Sequence, residues 1–325
     1  MVLQSLLCEE ESLGILLDIV MGQVMHKTTG QPHAVDEPPW WQEPRVWPLV
    51  VVGVTLTISG LVHLVIWGID GGPWAGPVTW RKPILFGISG GLTALSLGWV
   101  MTRLPRQRTD RFFAWSAAVA LFVEVGLIDL QRWRGVASHF NRATTLDSWI
   151  YDAMGVLILW FTLVSAVVMV RVFREPVAVA ADMRLAVRAG LVALVWSCLL
   201  GIWITVTAEL RMMEGLEPAV IGTAGVPKFA HGAVIHALQW LPLLAWAGRR
   251  AGIREQRRGW LMIAATLGTL LLAVYAFGQT VAGRPRFDGS LPLAGVLLAA
   301  VLLLGGPLLV SVVACLCRLR SRTAV

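Results

Sequence analysis

Apolar residues fall into eight long runs along this chain, and charge is confined almost wholly to the connectors between them. A helix crossing about 30 Å of hydrocarbon needs roughly 20 mainly apolar residues. The runs Val46 to Gly68, Pro83 to Met101, Phe112 to Gln131, Trp149 to Val170, Ala186 to Thr207, Phe229 to Ala247, Trp260 to Gly278 and Leu291 to Cys315 each supply them. A lipid-exposed backbone satisfies its hydrogen bonds within its own segment or in a closed barrel, so each run is expected as a helix. The predicted fold is an all-α, polytopic membrane bundle of about eight transmembrane helices over 44–318. Residues 1–43 are expected to be an acidic, mobile leader and 319–325 a short basic tail.

Composition agrees, with 56% hydrophobic residues, 14% charged and a mean hydropathy of +0.69, where a soluble domain carries roughly 25% charged residues. Most of the 27 Lys and Arg residues follow the even-numbered runs: Arg103 to Arg111, Arg171 to Arg188, Arg249 to Arg258 and Arg318 to Arg322. Basic residues are retained preferentially on the cytoplasmic side. Both termini are therefore expected in the cytoplasm, and the inner (plasma) membrane is the expected location. Topology and contact with anionic lipid account for the net charge of +7, so no nucleic-acid partner is expected.

The leader carries Glu9, Glu10, Glu11, Asp18, Asp36, Glu37 and Glu43 against Lys27, and it lacks the basic start of a signal peptide. The four cysteines, Cys8, Cys198, Cys315 and Cys317, have no structural-zinc spacing. Tryptophans favour membrane interfaces. Trp47, Trp99, Trp115, Trp246 and Trp260 mark one level, and Trp67, Trp74, Trp80, Trp133 and Trp149 the other.

Candidate chemistry gathers at the end opposite the arginine-rich connectors. Arg81, Lys82, Arg132, Arg134 and Arg142 stand there against the positive-inside bias, which points to an anionic partner such as a phosphate, a carboxylate, a lipid headgroup or a haem propionate; pairing with Asp129, Asp147 and Asp152 is the plainer alternative. Ionisable groups within spans by default face a bundle interior or an aqueous cavity. Glu124, Asp129, Asp152, Glu209 and Gln279 are expected to share one level and one pocket, with Glu124, Asp129 and His139 as candidate catalytic or proton-carrying groups.

His63 and His236 sit roughly 7 to 11 Å inside the ends of their spans, counted at 1.5 Å per residue. Each has a glycine one turn before it, Gly60 and Gly232. A haem held by these two imidazoles, its propionates reaching Arg81, Arg132 or Arg134, and exchanging electrons with a quinone, is the preferred expectation. A zinc-dependent hydrolase and a transporter or binder of an anionic lipid or small molecule are the alternatives.

Two resemblances accompany these readings. Ser59-x-x-x-His63 with Asp129 resembles the membrane ceramidase and adiponectin-receptor superfamily, which implies a zinc site completed by a His-x-x-x-His. The chain departs from that pattern, because His231 and His236 are five apart, about 140° around a helix unless a π-bulge intervenes. Arg134-Gly135-Val136-Ala137-Ser138-His139-Phe140-Asn141, with Trp80-Arg81-Lys82-Pro83 before it and His231 to Pro242 after it, resembles a bacterial membrane-protein family of unassigned activity. That resemblance spans about Val46 to Ala247 and implies that His139, Asn141, Arg134, His231 and Gln239 form one site.

Overall fold

A computed structural model describes residues 39–287 and 291–323, which are helical apart from turns and one isolated bridge between Ile221 and Gly225. After a 3-10 turn at Trp40–Gln42 come α1 (Trp47–Asp70), α2 (Arg81–Thr102), α3 (Asp110–Trp133), α4 (Thr145–Arg174) and α5 (Ala181–Met213). There follow α6 (Pro227–Gly232), α7 (Ala237–Arg250), α8 (Glu255–Val281) and α9 (Leu291–Thr323). Seven helices, α1 to α5, α8 and α9, are long and apolar enough to cross a membrane. Large apolar side chains such as Val65, Trp149, Val156, Leu298 and Leu309 are exposed on them, a surface suited to lipid rather than water. The chain is an integral membrane protein.

The sixth expected span departs from prediction: Phe229 to Ala247 is not one helix but α6 and α7, separated by an unwound turn at 233–236. Helix α5 sets this geometry. A Cβ on Gly201 would stand 3.4 Å from the His231 ring, and one on Gly190 only 2.6 Å from the Leu238 Cα. Those contacts are eleven residues apart on α5, about 16 Å at the helical rise, but seven apart on the partner, about 10 Å if it stayed helical. Unwinding makes up the difference. The Ser197 hydroxyl donates to the His231 carbonyl at 2.7 Å, and His231 Nδ1 lies 2.7 Å from the Ser197 carbonyl. A neighbouring helix thus takes up polar groups freed by the break, as a membrane interior requires.

The tightest seam joins α1 to α2. A Cβ on Gly87 would meet the Gly60 Cα at 2.7 Å, and one on Gly91 would meet Thr57 Oγ1 at 2.2 Å. Small residues four apart let membrane helices approach backbone to backbone, and here they fix the height of α2, whose first residues build the site below.

At the arginine-rich end, two buried aspartates each hold two arginines. Asp110 accepts from Arg45 and Arg171, and Arg171 also holds Glu175. Asp182 accepts from Arg249 at 2.7 Å and Arg258 at 2.9 Å. Arg318 donates to the Arg250 carbonyl at 2.7 Å, so the end of α9 is tied to the end of α7 on this side. Trp40 is buried against Val50 and Leu95, and Glu43 pairs with Arg45 and Arg106. The expected leader is therefore shorter than 1–43, because residues 40–43 are bound to the bundle; residues 1–38 and 324–325 lie outside the described residues.

Candidate anion-binding site

At the far end, Arg81 and Lys82 open α2, and Lys82 Nζ donates to Ser138 Oγ at 3.1 Å. Ser138 Oγ is in turn 3.0 Å from His139 Nδ1. An ammonium can only donate, so the chain of bonds runs from Lys82 through the hydroxyl to the imidazole. Lys228 approaches the same loop from α6, its Nζ 6.0 Å from the Phe140 ring centre. Arg132, near the end of α3, lays its guanidinium 3.8 Å over the Trp80 ring. Its Nε is buried without a partner, as is the hydroxyl of Thr79. Thr79, Lys82, Arg132 and Ser138 line one narrow, half-open crevice, too tight as it stands for a water-sized sphere.

Charge in this cleft is not neutralised as it is at the other end. Among the described residues, none of Arg81, Lys82, Arg132 and Lys228 forms an ion pair with a carboxylate. Arg81 and Lys228 both bear repulsively on Lys82, while Glu217 acts attractively on Lys228 without forming an ion pair with it.

The loop beneath the cations is held in a costly conformation. Phe140 has φ of +56°, a left-handed setting that costs a non-glycine residue on the order of 1–2 kcal/mol. Asn141 braces it: Nδ2 donates to the Ala137 carbonyl at 2.9 Å, and Oδ1 accepts from the Ala143 N–H at 3.1 Å. The His139 ring packs among Phe86, Phe140 and Tyr151. Burial, then Lys82, then Lys228 hold its imidazole down to about 3, from an ordinary 6.5. Folding therefore favours neutral His139. That contribution is complete above pH 6.5 and is lost as pH falls toward 3, because only the unfolded chain takes up the proton. Thermal unfolding of the wild type in detergent should lose about 1 kcal/mol per pH unit below 6.5 relative to His139→Gln; parallel pH profiles for the two proteins would refute the assignment.

The other candidates sort into separate groups. Arg134 donates to Asp147 at 2.8 Å, and the same carboxylate accepts from Gln131 and Thr144; it serves the start of α4 and not the cleft. Arg142 bridges Asp152 at 2.9 Å and Glu209 at 3.1 Å on an exposed surface. Gln279 donates to the Tyr275 hydroxyl. Glu124 is buried with Oε2 unpartnered, and Asp129 has Oδ1 unpartnered. These polar groups do not converge on one pocket, as their similar positions along the spans suggested.

His63 and His236 do not face each other. His63 Nε2 accepts from the Trp133 indole at 3.1 Å and Nδ1 lies 2.9 Å from the Ser59 carbonyl, so both nitrogens are engaged. His236 lies 3.2 Å from Ser89 Oγ, and Gln239 joins it to Ser96. Ser89 is about 200° around α2 from Gly87, which faces α1. It is also nine residues below Trp80, the ring beside His63, or about 13 Å along the helix. The break before α7 carries His236 to that depth. A haem spanning the two imidazoles does not fit this arrangement. Ser59, His63 and Asp129 do meet, with the Ser59 hydroxyl donating to Asp129 at 3.2 Å, but His231 is held on α5 by Ser197, away from them. No group of three or more potential metal ligands occurs among the described residues.

Of the expected site, Arg81, Lys82, Arg132, His139 and Asn141 come together. Sequence reasoning missed Lys228, Ser138 and Thr79; Pro227-Lys228 at the mouth of the sixth run, echoing Lys82-Pro83 at the second, was the available signal. The chain matches no protein-family model, no curated protein and no solved structure.

Proposed function

We propose that this membrane protein binds an anionic, phosphate-type group in the crevice formed by Thr79, Lys82, Arg132 and Ser138, whose side chains part to admit it, with Arg81 and Lys228 adding to its field. The group belongs to a small molecule or to a lipid headgroup. One observation carries the reading: four cations from three helices surround a strained loop with no carboxylate paired to them among the described residues, whereas the buried aspartates at the other end each hold two arginines. A tetrahedral oxyanion offers several acceptor oxygens to such converging donors. Buried Arg132 Nε and Thr79 Oγ1 are donors in need of an acceptor. The positive-inside bias puts this end away from the cytoplasm. This is the expected alternative of a binder of an anionic lipid or small molecule; the haem and hydrolase readings lack an arrangement of this kind.

Inorganic phosphate should raise the unfolding temperature of the detergent-purified protein beyond chloride at equal ionic strength, a bound ligand at a hundred times its Kd contributing about 2.7 kcal/mol. In Lys82→Gln/Lys228→Gln the affinity should fall about thirtyfold, at about 1 kcal/mol per cation. Arg108→Gln, exposed at the other end, should respond as wild type does. Equal shifts in all three proteins, or none in the wild type, would refute the site.

A further inference from the structure

A groove of about 330 Å³ opens between α8 and α9 toward the far end, lined by Tyr275, Phe287, Ala294, Leu297, Leu298 and Val301. Its rim faces outward, with Phe287, Leu298 and Val301 more than half exposed. The Tyr275 hydroxyl on its wall is already engaged: it donates to the Arg286 carbonyl at 2.8 Å and accepts from Gln279 at 3.2 Å. What remains is an apolar recess open to the side of the bundle.

Phe229 links this recess to the cations. Its ring stands edge-on to Tyr275 at 6.2 Å and to Phe287 at 5.9 Å, and the preceding residue is Lys228. The Lys228 ammonium reaches over Phe140 toward the loop whose Ser138 holds Lys82. Positive charge and apolar recess therefore flank one pair of adjacent residues. A free phosphate would leave the groove unused, and a neutral lipid would leave the cations unused.

Building on the anion-site reading, we infer that the ligand is an amphiphile, a lipid with a phosphate-type headgroup among Lys82, Lys228 and Arg132 and a hydrocarbon chain in the α8–α9 groove. Entry is lateral, from the bilayer. Both parts of the site then contribute, charge at the headgroup and burial of methylenes along the chain.

The test uses the full chain in phosphatidylcholine nanodiscs containing a small fraction of phosphatidic acid with a diazirine in its acyl chain. After irradiation, labelled residues are located by peptide mapping. Labelling should concentrate on residues 294–301 and fall about thirtyfold at subsaturating lipid in Lys82→Gln/Lys228→Gln. Diazirine-bearing phosphatidylcholine should label the lipid-facing helices without that concentration. Even labelling by both lipids would overturn the amphiphile assignment. Phosphate binding measured on the same preparation separates the failures: if phosphate binds but labelling is even, only the groove is refuted, and if neither occurs both readings fall. Leu298→Trp, which fills the groove, should abolish the concentrated labelling and leave phosphate binding at the wild-type level; labelling retained in that variant would equally overturn the inference.

Discussion

Asp110→Asn should cost about 3–5 kcal/mol of stability, because removing one partner of a buried ion pair leaves an uncompensated charge behind. Asp110 is 1% exposed and Arg171 8%, so water can do little for the abandoned guanidinium. Asp110 also accepts the Gln107 N–H at 3.0 Å and ties Arg45, ahead of α1, to α3 and α4. Three parts of the chain should loosen together. Asp152→Asn is the contrast at the other end: its partner Arg142 is 39% exposed and Asp152 itself 61%, and such surface pairs contribute about 1 kcal/mol or less. Reversible unfolding of both variants in the same detergent measures the difference. A cost for Asp110→Asn no larger than that for Asp152→Asn would show that the arginine-rich end is not held by its buried charge.

Gly91→Val should be comparably damaging for a different reason. A Cβ there would stand 2.5 Å from the Gly53 carbonyl oxygen and 2.8 Å from the Thr57 nitrogen, backbone atoms that cannot turn aside as a side-chain tip can. Overpacking a well-fitted interface costs about 1–3 kcal/mol, and displacing α2 would also move Arg81 and Lys82 away from the 138–140 loop. Loss of stability and loss of phosphate binding should appear together. Gly90→Ala is the control, since its Cβ would meet Val125 and Leu56 at 3.5 and 3.6 Å, ordinary contact, and it should fold and bind as the wild type does. If Gly91→Val unfolds at the wild-type temperature, the α1–α2 seam does not set the position of the site.

Much of the architecture is legible in the chain, because crossing a bilayer imposes length and hydrophobicity on each helix independently of its neighbours. Helices α1 to α5, α8 and α9 follow that rule. The break between α6 and α7 does not, since Gly232 to His236 is as apolar as a continuous helix would be and the interruption is decided by α5, through Gly190, Ser197 and Gly201. That single feature also undid the expected histidine pair: counting residues from the ends of unbroken spans gave His63 and His236 one depth, and the break removed it. The cationic cluster was easier to anticipate, because Arg81, Lys82 and Arg132 run against the charge bias of their own connectors. Which of those cations pair with carboxylates is a matter of three-dimensional neighbours. Asp147 and Asp152 claim Arg134 and Arg142, and the sequence gives Lys228 no visible relation to Lys82 until α6 folds beside the loop at Phe140.

On the reading proposed above, an anion supplied from outside the chain sits among Arg81, Lys82, Arg132 and Lys228. The most direct test is a density map of the protein in nanodiscs with phosphate or phosphatidic acid present. A tetrahedral group within hydrogen-bonding distance of Lys82 Nζ and Arg132 Nε is the predicted result. A carboxylate of the chain itself lying among those cations, with no added density, would contradict it.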